Sequence, residues 1–206
     1  MSIIKLNNKA VSNATSFGSI SSLGSMVFIK KLTASSSATL SFVDGSDGVV
    51  LDDTYKEYVF TFNNMHPATD NVHFQFNMST DSGSNYNVTK TSTMFRSFHF
   101  ENDSLTALAY DTNFDLAQST NFQTLAQEIS SDNEDSCSGT LRIFNPSSDT
   151  FVKHFISTFN MVNLTPVTMV MYGAGYGNTT SAVNSIKFQM SSGNIDAGQI
   201  LLFGIN

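Results

Sequence analysis

Few side chains in this sequence have the spacing that chemistry needs. The histidines His66, His73, His99 and His154 each fall in a different segment, and no His-Glu-x-x-His pattern gathers them into a metal site. Cys137 is the single cysteine. It leaves no intrachain disulfide and no multi-cysteine metal site, and with no activating base beside it reads as a small strand residue. Acidic side chains cluster at Asp132, Glu134 and Asp135, and again at the turn of Asp44 and Asp47. Such oxygen ligands suit Ca²⁺, but neither run has EF-hand spacing, so solvated loops are expected. Gly173-Ala174-Gly175-Tyr176-Gly177 lacks the Lys and Ser or Thr of a phosphate loop and reads as a loop needing positive φ. No nucleophile elbow occurs. No catalytic residue, metal ligand or cofactor is expected. Tyr86, Tyr110, Tyr172 and Tyr176 sit near turn signals, where an amphipathic ring meets sugar or protein. Tyr86, Tyr172 and Tyr176 are the candidates for surface recognition.

The elements that must position these residues read as short strands. The clearest signal is a hairpin over residues 141 to 159, two apolar alternating runs around Asn145-Pro146-Ser147-Ser148-Asp149. Proline cannot donate to a ladder, and Asn, Ser and Asp bend the chain through bonds to backbone. In its second strand Phe151, Lys153, Phe155, Ser157 and Phe159 share one face; Val152, His154, Ile156 and Thr158 share the other. Neither face is purely polar, so one should meet a second sheet and the other a neighbouring element or subunit. Val72, Phe74, Phe76 and Met78 alternate with His73, Gln75 and Asn77, the pattern of a half-buried antiparallel strand. Further strands are expected at residues 26 to 32, 38 to 43, 57 to 63, 86 to 90, 93 to 100, 105 to 110, 167 to 172, 185 to 190 and 199 to 205. Residues 64 to 70 and 173 to 178 read as loops. The stretch 114 to 129 fits either a helical face or a strand, and the all-β setting favours strand. These expectations describe an all-β chain, an antiparallel β-sandwich of jelly-roll type over residues 26 to 206.

Residues 1 to 25 differ. Ile3, Ile4 and Leu6 form an apolar patch, followed by a Ser, Asn and Gly-rich stretch containing Phe17. The patch needs a cover, so an extended N-terminal docking arm is expected, with Ile3, Ile4, Leu6 and Phe17 as its contacts.

Composition excludes several classes. The chain has 206 residues, enough for a core without staples, and 13% are charged. Its net charge is −7 with only 10 Lys and Arg, which argues against nucleic acid. No apolar run approaches the roughly 20 residues of a membrane span, and the start lacks the pattern of a signal peptide. Synthesis in a cytoplasm without membrane insertion is expected. The 18 Phe and the Ser, Thr and Asn that form about a third of the chain suit pleated sheets.

The hairpin residues Gly139-Thr140-Leu141-Arg142-Ile143-Phe144-Asn145-Pro146 and Phe151-Val152-Lys153-His154-Phe155 also resemble a pattern in small virion structural proteins of marine tailed bacteriophages, including cyanophages. Asp53 to Tyr58, Pro67 to Asp70, Ser82 to Asn87, Asn178 to Val183 and Met190 to Gly198 are similar to segments of the same proteins, and Ile4-Lys5-Leu6-Asn7-Asn8 resembles the start of phage fibre-type chains. The resemblance implies a non-enzymatic virion protein, either a tail fibre or receptor-binding appendage or a capsid decoration. It implies other virion proteins and a host surface glycan or protein as partners, and a homo-oligomer, a trimer by analogy with phage fibres. The alternative is a carbohydrate-binding module or a glycan-processing spike domain.

Overall fold

The computed structural model describes residues 25–206. Their strands run β1 (Met26–Thr33), β2 (Leu40–Val43), β3 (Glu57–Pro67), β4 (Val72–Ser79), β5 (Lys90–Phe100), β6 (Thr106–Tyr110), β7 (Gln123–Ile129), β8 (Cys137–Phe144), β9 (Lys153–Val162), β10 (Val167–Gly177), β11 (Ser185–Met190) and β12 (Ile195–Ile205), with no helix among the described residues. They form a β-sandwich of two antiparallel sheets. The larger has eight strands in the order β1-β12-β3-β8-β9-β10-β5-β6, the smaller four in the order β2-β11-β4-β7.

The core follows from the alternation. Tyr58, Phe60 and Phe62 of β3 and Phe155 and Phe159 of β9 point inward from the large sheet, meeting Phe74 and Phe76 of β4 and Phe188 of β11. Phe62 lies 5.0 Å from both Phe159 and Phe188, and Phe76 lies 5.2 Å from Phe155, centroid to centroid. Burying each ring contributes about 1.5–3 kcal/mol, and each edge-on or tilted pair adds about 0.5–1.5 kcal/mol.

The hairpin forms as expected. β8 and β9 pair antiparallel from Cys137↔Met161 to Ile143↔Phe155, and Asn145 holds a positive φ of 46° at the turn. The face of Lys153, Phe155, Ser157 and Phe159 is the buried one. Phe151 lies before the strand and is exposed. Lys153 stays on the core face because its ammonium turns back under the hairpin loop. Its Nζ donates to the carbonyls of Ser148 at 2.6 Å and Phe151 at 2.7 Å, supplying donors that the loop's backbone lacks.

Several expectations are corrected. The run Gly173 to Gly177 is strand, the second half of β10, and none of its glycines has a positive φ. These glycines make room rather than turns. A Cβ on Gly175 would stand 2.5 Å from the Thr91 carbonyl and 2.7 Å from Phe155 Cζ, and one on Gly177 would stand 2.7 Å from Met78 Cε. β3 continues through Pro67 by means of a register shift between Phe62 and Met65, so residues 64 to 67 of the expected loop at 64 to 70 belong to the strand. Residues 86 to 89 are irregular, and the strand there begins only at Lys90. Asn77, expected to face solvent, is buried. Its Nδ2 donates to the carbonyls of Tyr86 at 2.7 Å and Thr120 at 3.0 Å, clamping two crossing segments over β4.

The segment 111 to 122 carries the chain from the large sheet to the small one. Ser119 exchanges backbone bonds with Lys90, at 2.8 and 3.0 Å, and Ser92 N donates to the Leu116 carbonyl at 2.9 Å. The segment therefore runs along β5 beyond the end of β6, then enters β7 and walls one side of the small sheet.

Candidate functional site

The groups with intrinsic reactivity are spent on structure. Cys137 is buried, and burial pushes its thiol well above the usual range, so it is no nucleophile at neutral pH. His99 Nε2 lies 3.0 Å from Asp103 Oδ1, while His66 Nδ1 lies 2.7 Å from the Asp135 carbonyl. No group of three or more His, Cys, Asp or Glu is poised to hold a metal ion among the described residues. Asp44 Oδ1 accepts from Leu51 N at 2.8 Å and Asp47 pairs with Lys30, so the first acidic turn holds itself together. Lys90 is fully buried. Its Nζ donates to Asn77 Oδ1 at 2.5 Å and to the Val88 carbonyl at 2.8 Å, and burial pushes its ammonium down to about 7.

The outer face of the eight-stranded sheet is the broader of the two outer sheet faces among the described residues. Pairing aligns one outward residue from every strand into a row: Lys31, Leu201, Thr61, Thr140, Thr158, Tyr172, Phe95 and Tyr110. The neighbouring row is Phe28, Phe203, Val59, Arg142, Ile156, Ala174 and Thr93. Lys31 and Arg142 are the only ionised side chains in these rows, and Arg142 Nη1 donates to Glu57 Oε1 at 2.7 Å. Phe95 and Tyr172 stack at 4.9 Å with their planes 16° apart. Tyr110 sits next to Phe95, its hydroxyl donating to Asp115 Oδ2 at 2.7 Å. Leu108 is 73% exposed and Ile156 49%. A second apolar patch lies at the opposite edge, where Phe28, 55% exposed, meets Phe203 edge-on at 5.7 Å.

The three tyrosines expected as candidates for surface recognition are divided by this arrangement. Tyr172 lies in the row, and Tyr176 stands four residues along β10 on the same face, its ring 6.2 Å from that of His154. Tyr86 is elsewhere and has a structural setting. Its hydroxyl is 2.7 Å from Ser185 Oγ, and Lys187 Nζ stands 3.9 Å above its ring. Sequence reasoning missed Phe95, Phe28, Leu108 and Ile156 as surface residues. The signal for Ile156 was present in the apolar second face of the hairpin strand. Ile3, Ile4, Leu6 and Phe17 of the expected arm lie outside the described residues.

A groove of about 570 Å³ lies on the other outer face, between β4, β7 and the segment 113 to 122. His73, Gln75 and Thr124 form its floor; Asn113, Phe114, Thr120, Asn121 and Phe122 are among its walls. His73 Nδ1 accepts from Glu128 N at 3.0 Å, so the neutral ring carries its proton on Nε2. Burial lowers the His73 pKa, against the opposing pull of Glu128, and keeps the ring neutral near pH 7.

No family model matches the chain, and neither a curated protein nor a solved structure matches it.

Proposed function

We propose that the chain is a non-enzymatic virion structural protein that assembles into a homo-oligomer through the outer face of its eight-stranded sheet. The observation that carries this reading is that face: two aligned rows, one across all eight strands and one across seven, rich in aromatic, aliphatic and Thr side chains and nearly without charge. Interface cores are enriched in aromatics and depleted in Lys, Glu and Asp in the same way. Eight strands of 5 to 11 residues, about 4.8 Å apart, present on the order of 1,000 Å². That matches the roughly 800 Å² per partner of a stable interface. A second copy is the partner that fits. The chain carries −7 overall, so copies repel except where charge is low.

The strand order supports a jelly roll with two inserted hairpins. With β5, β6, β9 and β10 set aside, the eight remaining strands, renumbered in chain order, run 1-8-3-6 and 2-7-4-5. That is the interleaved order of two Greek keys, an architecture of viral capsid and lectin domains. The inserted strands β9-β10-β5-β6 widen one sheet and create the aromatic half of the face. Two separate patches on one face, Phe28 with Phe203 and Phe95 with Tyr172, suit a heterologous ring such as a trimer. In this reading the N-terminal segment with Ile3, Ile4, Leu6 and Phe17 docks the ring to the particle, as a fibre or receptor-binding appendage or as a capsid decoration.

Light scattering on the purified chain tests the assembly. A trimer is expected, with Phe95→Asp and Phe28→Asp each yielding folded monomers. A wild-type monomer overturns the proposal, and a trimer unaffected by either substitution moves the interface off this face. Imaging labelled protein on particles separates head decoration from tail appendage.

A further inference from the structure

We propose that the groove between β4, β7 and the segment 113 to 122 binds a neutral oligosaccharide. The inference goes beyond the assembly reading and does not depend on it, because the groove and the aromatic rows lie on opposite outer faces of the sandwich.

The lining of the groove and its free polar atoms select the ligand. Its volume of about 570 Å³ lies within the range of small-molecule sites, about 300–1,000 Å³. Among the described residues no ionised side chain lines it. Among the described residues the carboxamides of Asn113 and Asn121 and the hydroxyl of Thr120 meet no hydrogen-bond partner; only the backbone groups of these three residues are bonded. Gln75 spends only Nε2, on Thr124 Oγ1 at 3.3 Å, which leaves its carbonyl oxygen open. His73 spends Nδ1 on Glu128 N and retains an Nε2–H donor. The groove thus offers three amide groups and a neutral imidazole, each able to take one side of a hydroxyl's donor-and-acceptor pair.

A ligand that uses all of these is dense in hydroxyls and uncharged. An anionic ligand lacks a counter-charge here, and a cationic one lacks a carboxylate. A purely apolar ligand would strand the free amides without partners, at the cost of their desolvation. Phe114 and Phe122 add the remaining feature. Both are half-buried and line the groove, and Phe114 is locked by an edge-on contact with the His73 ring at 4.9 Å. Rings held in this way give the apolar C–H face of a pyranose something to pack on. The floor is rigid because it is built on paired strands, and Asn77 ties the wall at Thr120 to β4.

A glycan array carrying neutral, sialylated and sulfated oligosaccharides tests the inference on the full chain. The strongest neutral ligand is then titrated by calorimetry against wild type and the double variant Gln75→Ala/Asn121→Ala. Neutral hits are expected, weakened about tenfold or more in the variant, the loss of at least one good hydrogen bond. Light scattering and circular dichroism on the variant should match wild type, since Asn121 is exposed and Gln75 lies on the outer face. Three results overturn the inference: no neutral ligand on the array, hits confined to acidic glycans, or undiminished neutral binding by the folded variant. None of these bears on oligomeric state, so failure here and failure of the assembly proposal are distinguishable.

Discussion

Two lysines, Lys90 and Lys153, lie wholly inside this sandwich, and neither is bonded to a carboxylate. They flank Gly177 on the inner face of the large sheet, Lys153 on β9 and Lys90 on β5. Both have lowered pKa values, caused first by burial. For Lys90 the folded value is about 7 against the usual 10.5. Below about pH 7 both folded and unfolded states hold the proton, so this group makes stability independent of pH. Between pH 7 and about 10 the unfolded chain binds a proton that the folded chain has released. Stability therefore rises with pH in that window, by up to about 1.4 kcal/mol per unit. Urea unfolding at pH 6.5, 8 and 9.5 should show the rise in wild type and a shallower one in Lys90→Met, with Lys153 adding to the slope and the buried Cys137 thiol, whose pKa is raised, opposing it above about pH 9. Parallel curves for the two proteins would mean that Lys90 keeps its proton in the fold. Lys153→Met is expected to cost about 1–3 kcal/mol, because the Ser148 and Phe151 carbonyls lose their donor.

At the scale of the element, β9 and β10 interlock through a ring and a gap. Phe155 sits opposite Gly175 in the register, and its ring fills the space that a Cβ there would need. Phe155→Ala should cost about 3–5 kcal/mol, read from chemical denaturation, since the ring is buried against Phe76. A cost below about 1 kcal/mol would place the ring outside the core. Gly175→Ala should cost about 1–3 kcal/mol, because the Thr91 carbonyl that meets the new methyl belongs to paired backbone and cannot step aside. This pair also marks how far the sequence was legible. Period-two alternation was enough to find the hairpin and the strand at Val72 to Met78. Glycine density at 173 to 177 pointed to a loop because glycine permits positive φ, whereas here its use is close approach to neighbours that arrive from residues 91 and 155. Asn77 looked solvent-facing for a similar reason. The segments that cover it come from residues 86 and 120. The row of Tyr110, Phe95 and Tyr172 was invisible because the register between distant strands sets it, and the groove floor likewise joins residues 73 to 75 with 124.

Across the whole molecule, charge and apolar surface are kept apart. Of the 17 acidic residues only Glu57, Glu128 and Asp196 lie within strands, so the negative charge is carried by loops around the rims of the sandwich. The sheet face between them is close to neutral. Two copies meeting through that face gain burial of Phe95, Tyr172, Phe28 and Phe203, and are opposed by the repulsion of two −7 bodies. The two terms respond differently to salt. The Debye length falls from about 30 Å at 0.01 M to about 8 Å at 0.15 M, so rim-to-rim repulsion is screened while apolar burial is not weakened. Raising sodium chloride from about 10 to 150 mM should therefore tighten self-association, measured by sedimentation across a dilution series. Looser association at higher salt would show that ion pairs hold the copies together, and the contact would then have to involve the charged rims instead of the aromatic face.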